Sequence, residues 1–251
     1  MPDAVVQVPR HERTGIFRVL EVTVIPALWL LARQEREGTA NIPATGGFVI
    51  APNHTSNLDP IIVGAAVYRG GRSPHFLGKA SLWNIVIVRS LLRATRQIPV
   101  YRGGGNREND PLRSAIAAIR DEGRGVIVYP EGTLTRDPDL WPMRGKTGAV
   151  RLAIAAGVPL IPAAQWGTER VLPRYAKWLR PLPRTTIVVR FGEPLDLSHY
   201  AGKTLDAATI AAATNELMAA ITALVAELRG EQPPHDHWDP ADHGQTEFGH
   251  P

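Results

Sequence analysis

Residues 48–60 read FVIAPNHTSNLDP. The run Phe48–Ala51 is short and wholly apolar, which suits a buried strand. The chain then turns polar from Asn53 to Asn57 and arrives at Asp59-Pro60, the pattern of a helix N-cap followed by proline at the first helical position. Strand, polar loop and helix together form the unit from which open α/β sheets are built. Its loop lies at the strand's C-terminal end, where such sheets place ligands.

The same alternation continues outward. Phe76–Leu77, Ile98–Tyr101, Val126–Tyr129, Leu160–Gln165 and Ile187–Phe191 are further apolar runs bounded by turn residues, and each reads as a short strand. Asp110-Pro111 repeats the cap-and-proline pattern, and its helix is expected to run to Glu122 with Gly123 as the stop. Another helix is expected from Thr147 to Ala156, ending at Gly157. Ile210, Thr214, Leu217, Ile221, Leu224, Val225 and Leu228 recur at helical spacing and predict a long helix closing the core. The fold class is therefore α/β: a single domain over residues 41–230, with a mixed, mostly parallel sheet flanked by helices. Residues 1–40 form a helical segment before it. Residues 231–251 are polar and proline-rich without period, and are expected to be a mobile tail whose histidines at 235, 237, 243 and 250 are solvated.

The apolar stretch Ile16 to Ala32 contains Arg18 and Glu21 and is interrupted by Pro26. It is too short and too polar to cross a bilayer comfortably. Two readings stay open: a helix lying in the membrane interface, with Trp29 at headgroup level, or a helix packed on the domain's own core. The start of the chain lacks a charged-then-apolar export signal, so export is not expected.

Composition narrows the chemistry. The 251 residues contain no cysteine, which excludes a disulfide, a thiolate metal site and a cysteine nucleophile, and fits a reducing compartment. The net charge is +4, but residues 60–107 hold no Asp or Glu against Arg69, Arg72, Lys79, Arg89, Arg93, Arg96, Arg102 and Arg107. Such a block favours an anionic partner or forms a solvated basic surface. No G-x-S-x-G nucleophile elbow occurs. Gly145-Lys146-Thr147 lacks the phosphate-loop glycine five residues earlier, where Leu140 stands.

His54 and Asp59 are five residues apart. On one continuous helix they would point about 140° from each other. With His54 on the loop and Asp59 opening the helix, a carboxylate at the helix N-terminus can accept the proton of one ring nitrogen and leave the other as a free base. The bland alternative is a capping aspartate beside a loop histidine. A second polar loop follows a strand at Tyr129-Pro130-Glu131-Gly132-Thr133-Leu134-Thr135-Arg136, offering an acceptor, a donor, a close backbone approach and a cation for phosphate. Between the two loops lies Ile98-Pro99-Val100-Tyr101-Arg102, and downstream comes Val158-Pro159-Leu160-Ile161-Pro162.

These four blocks, in this order over about residues 48–165, resemble the glycerolipid acyltransferases, in particular the PlsC-like 1-acylglycerol-3-phosphate branch. The resemblance implies His54 as general base with Asp59 as its partner. It implies Lys79, Arg102, Glu131, Gly132 and Thr133 as ligands of the acceptor phosphate. It implies acyl-CoA or acyl carrier protein as donor and lysophosphatidic acid or a related anionic glycerolipid as acceptor, with phosphatidic acid as product. No metal, no cofactor and no nucleic acid are implied, and the expected location is peripheral, on the cytoplasmic face of the cell membrane. The pattern departs at Leu134, where the family carries arginine directly after Glu-Gly-Thr, and Arg136 is the next basic residue. It departs again in the second block, at Arg96 and Pro99.

Overall fold

A computed structural model describes residues 12, 14–79, 83–100, 111–200 and 206–245. Seven strands form one sheet: β1 (Ala32–Glu37), β2 (Phe48–Pro52), β3 (Pro74–Lys79), β4 (Ile98–Val100), β5 (Gly125–Ile127), β6 (Leu160–Trp166) and β7 (Thr185–Phe191). Their order across the sheet is β1-β7-β6-β2-β5-β3-β4. Every neighbouring pair is parallel except β6 with β7. The expected mixed, mostly parallel sheet is therefore found. The helices are α1 (Gly15–Leu31), α2 (Asp59–Arg69), α3 (Val86–Ala94), α4 (Pro111–Arg120), α5 (Gly148–Ala156), α6 (Thr168–Val171) and α7 (Ala207–Arg229).

The central strand β2 is buried along its whole length. Val49 and Ala51 join a core built with α4, α5 and α7, while Phe48 and Ile50 join a second core with α2 on the other face. The continuous apolar run has this cause: alternate residues leave opposite faces of a strand, and here both faces are covered. Helix α5 stops where Gly157 takes φ of 67°, a left-handed conformation that costs a residue without Cβ little. Helix α7 starts at Asp206, whose side chain accepts from Thr209 N at 2.7 Å. Among the described residues α7 is the one helix long and apolar enough to cross a membrane. It packs Leu217, Ile221 and Val225 into the sheet-side core instead.

The structure departs from or adds to the sequence reading at four places. Strand β1, ARQERE, has no apolar signal; it is an edge strand whose ladder comes from β7, and its charges suit an edge. Helix α1 runs through Pro26 without a break. The carbonyl that proline leaves unbonded belongs to Val22, which is 71% exposed and so can be solvated. Part of the expected tail contacts the domain: Arg144 N donates to Trp238 O at 2.9 Å, and Thr222 Oγ1 lies 3.0 Å from His237 Nε2, while residues 246–251, with His250, lie outside the described residues. His243 stacks on Trp238. Finally, Arg72 is not part of a basic surface. It is 1% exposed and donates through Nε to Glu12 at 2.8 Å and to the carbonyls of Pro43, Gly46 and Gly123.

Candidate active site

The site sits at the C-terminal ends of β2, β5 and β6. His54 leaves the loop after β2 and Asp59 is the first residue of α2. Asp59 does not cap that helix, as the sequence pattern suggested: the cap position is Leu58, with no side-chain cap bond. Instead the carboxylate turns back over its own loop. Oδ2 accepts from Thr55 N at 2.7 Å, from Ser56 N at 2.8 Å and from His54 Nδ1 at 2.9 Å. Oδ1 accepts from Thr168 Oγ1 at 2.6 Å. Four donors converge on two oxygens of a side chain with no solvent exposure, which suits a carboxylate acting only as acceptor. The ring nitrogen of His54 facing Asp59 is thereby the one that carries the proton, and Nε2 is left as the base.

The loop is held at its backbone as well. Glu131 Oε1 accepts from His54 N at 2.8 Å, and Thr135 N donates to His54 O at 2.7 Å. Tyr129 stacks on the imidazole with ring centroids 4.2 Å apart. Beneath Asp59, Asn53 and Gln165 exchange side-chain and backbone bonds across β2 and β6 at 2.8 and 3.1 Å, and Gln165 Nε2 donates to Thr55 Oγ1 at 2.9 Å. Thr168 completes this layer. It lies two residues beyond β6, and a separation of 109 residues from Asp59 hides it from any local motif.

These bonds also decide against a serine-type mechanism. Ser56 Oγ donates to Leu172 O at 2.6 Å, and Thr168 Oγ1 meets Asp59. Neither donates to His54, so no hydroxyl among the described residues is set up as its nucleophile.

The phosphate ligands expected from sequence fare unevenly. Glu131 is fully buried, with Oε2 accepting from Met143 N at 3.1 Å, so that its carboxylate ties the His54 backbone to the Met143 backbone. Burial drives its carboxyl up to about 8, against the lowering effect of the Met143 and His54 N–H bonds. Arg136 is 4% exposed and so is not presented to solvent. Thr133 and Gly132 are half-buried on the cleft-side turn, and Gly132 takes φ of 72°. A Cβ at Gly132 would lie 3.2 Å from the Lys146 side chain, which places a cation beside this turn that the sequence pattern did not single out. Lys79 ends β3, paired with Val100; its side chain and the whole of Arg102 lie outside the described residues.

Fold and site together define an α/β protein with a histidine locked to a buried carboxylate at the C-terminal ends of its parallel strands. The chain belongs to the acyltransferase family, whose model matches residues 33–166. It is 31% identical over 161 residues to the 1-acyl-sn-glycerol-3-phosphate acyltransferase of Bacillus subtilis, covering 64% of this chain and 73% of that one. It is 28% identical over 138 residues to a chloroplastic enzyme of the same name from Brassica napus, covering 55% of this chain but 38% of the relative. The crystal structure of PlsC, the 1-acyl-sn-glycerophosphate acyltransferase of Thermotoga maritima, shares the fold with a TM-score of 0.62 at 24% identity, over 87% of this chain and 82% of that one.

Proposed function

We propose that the protein transfers a fatty acyl group from acyl-CoA or acyl carrier protein to the free hydroxyl of 1-acyl-sn-glycerol 3-phosphate, giving phosphatidic acid at a membrane surface. The observation that carries this is the His54–Asp59 pair, with Nδ1 committed to a fully buried carboxylate and no hydroxyl among the described residues bonded to Nε2. The names of the relatives support the acceptor.

The acceptor hydroxyl gives its proton to His54 Nε2 as its oxygen attacks the thioester carbonyl carbon. The tetrahedral oxyanion collapses, the carbon–sulfur bond breaks, and the thiolate takes the proton back from the imidazolium. No covalent acyl-enzyme is formed. An apolar cavity of 440 Å³ starts at Pro60 and Ile61, next to Asp59, and continues past Leu20, Val24, Phe76 and Leu91. It suits a substrate acyl chain, whose burial favours binding by about 0.8 kcal/mol per CH₂. Helix α1, which borders this groove, exposes Val19, Val22, Trp29 and Leu30 and is the proposed interfacial helix.

The test is turnover of acyl-CoA against lysophosphatidic acid, glycerol 3-phosphate and a neutral lysophospholipid, with the acylated position identified. Preference for glycerol 3-phosphate moves the reaction one step earlier. No turnover with any acceptor sinks the transferase reading and leaves a basic membrane-binding protein.

A further inference from the structure

Between α6 and β7 the chain reads Arg174-Tyr175-Ala176-Lys177-Trp178-Leu179-Arg180-Pro181-Leu182-Pro183-Arg184, and residues 170–192 contain no Asp or Glu. Trp178 is 83% exposed and Leu182 81%. Lys177, Arg180 and Arg184 are exposed beside them. This is not a loose loop. Arg180 N donates to Val171 O at 2.6 Å, Arg174 donates to the carbonyls of Thr135 and Asp137 at 2.7 Å each, and Ser56 Oγ donates to Leu172 O at its root. A segment tied down at this many points nonetheless holds a tryptophan and a leucine out in water.

Its place in the fold explains where these side chains point. β6 runs parallel to β2, so both end at the His54 side; β7 is antiparallel to β6 and therefore starts there, and β1 is parallel to β7. The segment before β7 and the end of α1 before β1 thus meet at the catalytic end of the sheet. They touch: Arg184 donates to Trp29 O at 2.7 Å and its guanidinium stands 5.3 Å from the Trp29 ring centroid. Trp29 and Leu30 of α1 and Trp178, Leu179 and Leu182 are thus exposed on two segments that Arg184 joins, with cations among them.

We propose that residues 177–184 are a second membrane-contact element, which together with α1 sets the catalytic end against a bilayer rich in anionic lipid. Tryptophan is favoured at headgroup depth, where its ring is buried and its N–H stays hydrated, and exposed lysine and arginine are drawn to anionic headgroups. Cations alternating with apolar side chains along a single strip meet both conditions together. The inference rests on the proposed activity only for its purpose, since an acceptor drawn from the bilayer must reach His54 at this end.

The test is co-sedimentation of the full chain with vesicles of phosphatidylcholine, with and without phosphatidylglycerol. Trp178→Ala with Leu182→Ala is expected to weaken binding about tenfold to both vesicle types. Lys177→Glu with Arg180→Glu is expected to weaken binding about tenfold or more to the anionic vesicles and little to the neutral ones. Melting temperature, and turnover of a short-chain water-soluble acceptor, stay at the parent's values. Trp178→Phe is expected to lower the fraction of tryptophan fluorescence quenched by brominated lipid while keeping the fold. Vesicle binding equal to the parent's in both double variants overturns the proposal, as does a parent that binds no vesicles. So does unchanged vesicle binding with selective loss of turnover from acyl carrier protein, which would make the strip a protein-docking site. Because vesicle binding is read without turnover, a failed acyltransferase assay leaves this result interpretable.

Discussion

Among the described residues, a buried carboxylate meets a nitrogen partner at each pole of the sheet. At the catalytic pole His54 meets Asp59; at the other, Arg72 meets Glu12, whose Oε2 also accepts from Ser73 N at 2.7 Å. Both carboxylates gather several donors. The difference lies in the partner's access to solvent. The side chain of His54 keeps 14% of its surface exposed, whereas Arg72 keeps 2% and spends its remaining donors on three carbonyls. One pair is arranged to leave a nitrogen over for an incoming molecule, and the other to leave nothing over. What separates a site from a staple here is that spare valence, more than the strength of the pair.

The comparison is broken most directly at His54. His54→Ala is expected to lower kcat by about 10³-fold, or roughly 4 kcal/mol, with the melting temperature little changed, because it removes a base and not a support. Steady-state turnover alongside a thermal melt checks both halves, and near-normal turnover would remove His54 from the mechanism. Arg72→Leu is expected to do the reverse. Leaving Glu12 buried without its cation costs about 3–5 kcal/mol in urea unfolding, while kcat per folded molecule stays at the parent's value.

The two pairs also differ in how they could be read from the sequence. His54 and Asp59 share one loop, so strand, turn and helix punctuation show how they can meet, and the order of the four blocks favours that reading over a capping aspartate. Strands β2, β3, β4, β5, β6 and β7 and helices α2, α4, α5 and α7 were legible for the same reason, since each carries its own apolar period and its own stops. Arg72, counted in the sequence with a basic block, pairs with Glu12 across 60 residues, which a charge count does not register. Strand β1 was missed because an edge strand takes its order from its neighbour. The Glu131 carboxyl shows the limit of a motif: its position was legible, but its buried, backbone-clamping orientation is a property of packing.

Glu131 offers a subtler way to sharpen the contrast, through pH. Its folded value of about 8 lies above the ordinary 4.5, so its stabilising contribution is complete below 4.5 and is lost as pH rises toward 8. His75 lies near the Arg72 pole, in a buried setting that lowers it from 6.5 to about 4, so its contribution is complete above 6.5 and is lost as pH falls toward 4. The two slopes oppose between 4.5 and 6.5, and of the two only Glu131 acts between 6.5 and 8. Stability is therefore expected to fall by about 2 kcal/mol over that upper interval, at up to about 1.4 kcal/mol per pH unit, and Glu131→Gln should flatten the fall. The same variant is expected to lower kcat while leaving KM for the acceptor unchanged. A rise in KM with kcat intact would restore Glu131 to the phosphate site.

The smallest expected effect concerns what holds Asp59 from behind. Thr168 Oγ1 donates one charge-assisted bond to Oδ1, while the other three donors, all from the 54–56 loop, converge on Oδ2. Removing it with Thr168→Val keeps the shape and leaves Asp59 more basic, so the carboxylate competes more strongly for the imidazole proton and Nε2 becomes a slightly stronger base. It also frees the carboxylate to rotate, which degrades the alignment of the base. The second effect should dominate, because proton transfer from an acceptor depends steeply on geometry. We expect kcat to drop about tenfold, or 1.4 kcal/mol, with the acid limb of the kcat/KM profile displaced, and Thr168→Ser to restore both. A merely structural role would lower stability in Thr168→Val without moving that limb, so the pH profile, read beside the serine variant, decides whether the layer beneath Asp59 serves the chemistry or only the fold.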